Sequence, residues 1–225
     1  MKLGYMWSKM VTDSKGVRRV PISTRSLTGE VNGQEFESAL ERDLMLLMFW
    51  SRLVDSFQSQ PVCIEYRDSL GKRRNYTPDL LVTFHPQEQR QPKPLLIEVK
   101  YRKDLIANLA ELKPKFRAAR RFARERGWTF KIMTEVEIRT PYLDNVRFLW
   151  RYRDSHWTTT HYDRLRQTLR EMEEAEVNTL LAAAYTSQSL RDEALWTLWA
   201  MVAIKVVKCD LTAPLTMNTR VWLDE

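Results

Sequence analysis

Tyr76-Thr77-Pro78-Asp79-Leu80-Leu81-Val82-Thr83-Phe84, then a polar loop, then Leu95-Leu96-Ile97-Glu98-Val99-Lys100: these two runs decide how the chain is read. Pro78-Asp79 leads into the apolar run Leu80 to Phe84, and the second run is an apolar strand interrupted only near its end. Eighteen residues separate Asp79 from Glu98. The loop from His85 to Pro94 holds three prolines and is expected at the surface. Side chains two apart on a strand share a face, roughly 6.5–7 Å apart. Glu98 and Lys100 therefore point one way, while Leu95, Ile97 and Val99 point to a core. If the two strands pair, Asp79 and Glu98 converge.

An acid and a lysine ending an apolar strand are costly to desolvate without partners. E-x-K alone is common and reads as an ordinary exposed pair. P-D, a strand-length interval and E-x-K together have the pattern of a PD-(D/E)xK nuclease centre. Two converging carboxylates with oxygen-only ligation suit Mg²⁺, with Mn²⁺ as a substitute. Such a metal polarises a scissile phosphate. Lys100 is placed to position a water or to stabilise developing charge.

Upstream, apolar residues at 36, 40, 44, 47 and 48 have helical spacing. A helix is expected from Asn32 or Gly33, capped by Asn32 with Glu35 three residues on. Glu37, Glu41, Leu44 and Met48 share that spacing, so Glu41 edges onto the apolar side as a third carboxylate. A solvated flank glutamate is the equally open alternative. Val62 to Tyr66 reads as a strand, and Ser69 to Lys72 as a hairpin turn. From Lys103 to Arg126 the pattern is helical again, with Leu105, Leu109, Leu112, Phe116, Ala119 and Ala123 on one stripe. Pro114 should kink it or begin a second helix. Gly127 stops it, and a strand follows from Trp128 to Thr134.

Residues 100–126 carry ten Lys/Arg against three Asp/Glu. Arg102, Lys103, Arg117, Arg120, Arg121 and Arg124 are candidates for DNA-backbone contact, with a merely solvated face as the alternative. The net charge of +7 and pI near 9.5 point the same way, to a polyanionic partner. No apolar run spans a bilayer and Met1 to Met10 is no signal peptide, so an intracellular protein without membrane association is expected. Cys63 and Cys209 read as buried thiols, and the three histidines show no zinc-ligand spacing with them.

After Pro141, Tyr162–Met172, Glu174–Ala184 and Leu190–Ile204 read as three helices. Strands Val206–Leu211 and Thr219–Leu223 follow, in the order of a winged helix-turn-helix. The third helix is poor in base-reading side chains, which favours packing or protein contact, and Trp196 and Trp199 read as core. The expected architecture is α/β: a basic arm (1–31), a PD-(D/E)xK nuclease domain (32–140) and a winged-helix domain (141–225).

The chain resembles the TnsA endonuclease subunit of Tn7-like transposons. The likeness rests on Phe36-Glu37-Ser38-Ala39-Leu40-Glu41-Arg42-Asp43, Gln60-Pro61, Tyr76-Thr77-Pro78-Asp79, Ile97-Glu98-Val99-Lys100 and Thr134-Glu135. In the tail it rests on Asp210-Leu211 and Pro214-Leu215-Thr216. It implies a restriction-endonuclease-like domain cutting the 5′ ends of a transposon on double-stranded DNA. A TnsB-type transposase would act on the 3′ ends, and a TnsC-type AAA+ ATPase would regulate both. It implies Glu41 as the helix-borne metal ligand beside Asp79 and Glu98, Lys100 as the catalytic lysine, and Glu111 as a further acid. The chain is short for that family, as in subunits of RNA-guided, CRISPR-associated transposons. Alternatives are a stand-alone restriction or repair nuclease, and an inactive winged-helix DNA-binding adaptor.

Overall fold

The structure is a computed structural model that describes residues 29–31, 34–87, 91–154 and 157–223. Most of the expected arm, the expected cap Asn32, and His156 lie outside the described residues. Two compact units part between Ile138 and Arg139.

The first unit begins with a hairpin of β1 (Gly29–Val31) and β2 (Gln34–Phe36), paired antiparallel. This corrects the expected helix start. The sequence between those strands is Asn-Gly, a hairpin signal as much as a helix cap. Helix α1 (Ala39–Trp50) starts later, capped by Ser38, whose hydroxyl accepts from the Glu41 N–H. Strand β3 (Val54–Ser59), not expected from the sequence, follows. Then come β4 (Ile64–Arg67) and β5 (Arg73–Tyr76), a hairpin turning through Gly71 at φ +77°, and β6 (Leu80–Phe84) and β7 (Leu95–Val99).

Helices α2 (Arg102–Ala107) and α3 (Leu109–Glu125) break at Asn108, whose amide donates to the Asp104 carbonyl. The second helix thus starts before Pro114, which lies inside α3. The break resets the helical phase. Phe116, Ala119 and Ala123 are buried, but Leu109 is exposed and the expected stripe does not continue through it. Strand β8 (Thr129–Met133) and the short α4 (Glu135–Ile138) complete the unit.

Strands order β3-β6-β7-β8, with β7 and β8 parallel and the others antiparallel; the β4–β5 hairpin stands outside this sheet. A parallel pair needs a crossover, which α2 and α3 supply. On one face Leu40, Leu44 and Met45 of α1 pack on Leu80, Val82, Ile97 and Val99. On the other, Ala118, Ala119 and Ala123 of α3 pack on Leu96, Ile64 and Tyr76. Both faces of β7 are therefore covered, not the single face expected, which is why its sequence is nearly all apolar. Cys63 is exposed and Cys209 half-buried, against the expectation of two buried thiols. Cys63 sits one position before the buried Ile64, so alternation turns it outward.

The second unit opens on α5 (Pro141–Arg153), which the sequence reading passed over although Leu143, Val146 and Leu149 line its buried side. Next are α6 (Thr159–Met172), β9 (Glu174–Glu176), α7 (Val177–Ala184), α8 (Gln188–Ala203), β10 (Val207–Cys209) and β11 (Arg220–Leu223). Residues 174–176 were expected to be helical; they pair with β11 instead, in a sheet ordered β10-β11-β9. Helix α8 is buried through most of Ala194 to Ala203. Its aromatic pair divides: Trp199 is core, whereas Trp196 is 45% exposed and stacks edge-on with Tyr152.

Candidate active site

Strands β6 and β7 pair with Leu80 opposite Ile97, which sets Asp79 across from Glu98. The Asp79 N–H donates to the Ile97 carbonyl at 3.0 Å, and its carboxylate accepts from the Val99 N–H at 2.6 Å. Pro78 fixes the entry to β6, and alternation carries Asp79 to the face opposite Leu80. The expected convergence across the strand pair is thus what the register produces.

Glu98 is 3% exposed, so it is no solvated strand-edge glutamate. One carboxylate oxygen accepts from the Tyr76 hydroxyl at 2.6 Å and the other from the Lys115 ammonium at 2.8 Å. Lys115 also lies over the Tyr76 ring, 4.6 Å from its centre. Lys115 reads in the sequence only as one cation in a basic helix, and Tyr76 only as the first residue of the Tyr76-Thr77-Pro78-Asp79 motif. Lys100 follows β7 with its N–H donating to the Met133 carbonyl at 3.0 Å. Its side chain is half-buried and has no ion pair among the described residues.

Glu41 is the third position of α1. One oxygen accepts from the Glu37 N–H at 2.9 Å and the other from the Ser38 hydroxyl at 2.8 Å, a capping box closed one residue upstream of the usual donor. The helix cap therefore aims this carboxylate. Burial, first, and the charges of Glu98 and then Glu41 hold Asp79 well above the usual carboxylate range. Burial likewise raises Glu41, with the charges of Glu37 and Glu98 adding to it against its hydrogen bonds. Burial and the Glu98 charge push the Tyr76 hydroxyl up, so it stays protonated and donates. The three acids sense one another although they come from a helix and two strands.

Gln60, which in the sequence stands out only within the Gln60-Pro61 motif, is a further residue at the site. It sits at φ +47°, a conformation rare for a side-chain-bearing residue. Its N–H donates to the Asp79 carbonyl at 2.9 Å, and its amide donates to the Glu37 carboxylate. Its own amide oxygen is buried with no hydrogen-bond partner among the described residues. Glu135 accepts from the first N–H of α2, that of Arg102, at 2.8 Å, a helix-capping role. Glu111 is exposed on the first turn of α3. Among the described residues, no three Asp, Glu, His or Cys side chains already form a cation cage. Asp79, Glu98 and Glu41 are oxygen donors that feel one another's charge, and such donors would suit a hard cation.

Of the expected DNA contacts, Arg102 opens α2 and is exposed, as is Lys103. Arg117 and Arg121 line a groove against the β4–β5 hairpin, and Arg120 and Arg124 are exposed outside its lining.

Comparison with protein families gives the class first. Residues 51–135, which include Gln60, Asp79, Glu98, Lys100 and Lys115, match the family described as TnsA-like endonuclease N terminal, so this unit is a nuclease. Residues 137–211 match the family described as TnsA endonuclease C terminal. With both halves in order, the chain belongs to the TnsA endonuclease family of Tn7-like transposons and is a transposition endonuclease. Glu41 precedes the matched stretch, so its assignment rests on the geometry above and on the likeness of its motif. A comparison with curated proteins gives no match. No described helix is long and apolar enough to cross a membrane.

Proposed function

We propose that this chain cuts the non-transferred strands at the 5′ ends of a transposon by metal-dependent phosphodiester hydrolysis. The observation that carries the reading is the Asp79–Glu98 juxtaposition across β6 and β7, with Glu41 near enough to raise the Asp79 carboxyl. The sheet order β3-β6-β7-β8 between α1 and α3 supports a PD-(D/E)xK core. Helices α6 to α8 with the sheet β10-β11-β9 support a winged helix.

Asp79, Glu98 and Glu41 would hold Mg²⁺, or Mn²⁺ in its place, which when bound supplies Lewis-acid polarisation of the scissile phosphate. The chain's own groups do the remainder. Lys100, with no competing ion pair among the described residues, orients the attacking water and offsets charge on the phosphate. Tyr76 and Lys115 hold the Glu98 carboxylate in one orientation. Val99 does the same for Asp79 through its N–H. The cations Arg102, Lys103, Arg117, Arg120, Arg121 and Arg124 contact the DNA backbone. The apolar, buried α8 suits packing rather than base readout, which fits a subunit working with a TnsB-type transposase and a TnsC-type ATPase inside the cell.

Asp79→Ala in a reconstituted transposition assay tests this. Loss of 5′-strand cleavage, with cointegrates replacing simple insertions, is expected. Release of the 5′ ends by the variant in Mg²⁺ overturns the assignment.

A further inference from the structure

The β4–β5 hairpin is outside the four-stranded sheet and rests on α3, which leaves a groove of about 790 Å³ between them. Tyr66, Arg67 and Arg73 line it from the hairpin, and Lys113, Arg117 and Arg121 from the helix. The three helix cations are four residues apart, so they form a rank on one face, with about 6 Å of rise per step. The whole rank covers about 12 Å, the length of three to four nucleotides at about 3.4 Å of rise each.

Two acids also line the groove, Glu65 and Asp68. Asp68 is committed to the hairpin turn: it accepts from the N–H groups of Leu70 and Lys72, both at 2.9 Å, and pairs with Arg74 at 3.0 Å. Arg67 is tied to the Gly71 carbonyl at 2.9 Å. Arg73, Lys113, Arg117 and Arg121 are exposed and have no ion-pair partner among the described residues. Four such cations facing one groove repel each other, and a polyanion between them removes that repulsion. Pro114 and Ala118 form an apolar wall of the groove, and the residue after Pro114 is Lys115, the partner of Glu98. Lys115 is about 200° round the helix from Lys113, so it turns to Glu98 on the sheet while the rank turns to the groove.

We propose that this groove carries the sugar–phosphate backbone of one strand of the bound DNA. Lys113, Arg117 and Arg121 line one side and the β4–β5 hairpin, through Arg73, lines the other. The proposal rests on the DNA-nuclease reading and adds the hairpin, which that reading does not use. A regular cationic rank with a small apolar wall matches evenly spaced phosphates better than a compact anion.

The test uses the full chain carrying Asp79→Asn and a labelled DNA duplex. Fluorescence anisotropy is followed between about 50 and 200 mM salt. Adding Arg73→Ala, Lys113→Ala and Arg117→Ala should weaken binding tenfold or more and reduce the log–log salt slope by about 2–3. A control that removes one charge outside the groove is Arg126→Ala: Arg126 stacks over the Phe122 ring at 3.5 Å, and its binding should match the parent's. A triple variant that melts normally and keeps the parent's slope overturns the groove assignment. So does an RNA duplex bound more tightly than DNA through the same residues. The nuclease reading fails on a different readout, if Asp79→Asn by itself leaves cleavage intact.

Discussion

Glu98 in the first unit and Asn145 in the second are buried alike, at 3% and 5% exposure, but they are satisfied differently. Glu98 is a charge held by another side chain's charge and by a phenol. Asn145 is neutral and, among the described residues, speaks only to backbone. It donates to the carbonyls of Leu211 and Ala213 at 2.9 and 2.7 Å, and accepts from the Leu215 N–H at 3.2 Å. It thereby pins the connection between β10 and β11. A neutral amide with three partners is the inexpensive way to bury polarity, whereas a cluster of acids is an expensive one. The second unit uses polarity to hold a loop. The first keeps like charges together, which folding alone does not require, and residues that break local rules for no structural gain mark a site.

The strongest way to break this contrast is at Lys115. Lys115→Met leaves Glu98 buried without its counter-charge, and a loss of about 3 kcal/mol is expected in urea unfolding. Adding Glu98→Gln should restore much of that stability but no cleavage. A single variant as stable as the parent would show that the pair is not what holds Glu98. Next in size is Asn145→Ala, which strands three backbone groups and should cost about 2 kcal/mol, read as a lower melting temperature. Cleavage chemistry should be far less affected than stability, the reverse of the Asp79 variants.

The smallest effect has the opposite sign. Asp79 and Glu41 are held above the ordinary carboxylate value in the folded chain, so their ionisation opposes folding. The stability they contribute is complete below about pH 4, where unfolded carboxylates titrate, and is lost as pH rises through the folded values. Metal-free Asp79→Asn should therefore melt roughly 2–4 °C above the parent at pH 7, with the gap closing toward about pH 4. A variant that melts lower at neutral pH would mean that the carboxylate is well solvated.

Local pattern made much of the first unit readable. The apolar runs at 80–84 and 95–99, the hairpin turn and the strand after Gly127 all follow from short-range spacing. The errors arose where two local signals competed. Asn32-Gly33 served equally as cap or turn, and Glu174 as a helix start or strand. Asn108 broke a helix that Pro114 was expected to break. The spacing of helix α5 is present in the sequence, but the change of pattern after Pro141 signals a boundary as well as a helix.

By itself the sequence determined the acidic centre's membership on the two strands, because alternation of period two and an antiparallel register leave Asp79 and Glu98 few places to go. It also determined the basic, apolar-backed helix beside them. Only the tertiary structure decided what holds Glu98. Lys115 is 17 residues away and Tyr76 22; Lys115 reaches the carboxylate only once α3 packs on the sheet, and Tyr76 reaches it from the end of β5. The same packing turned a stray hairpin into the wall of a cationic groove. Both depend on how one element lies across another, and helical and strand periodicity are silent about that because they describe each element alone.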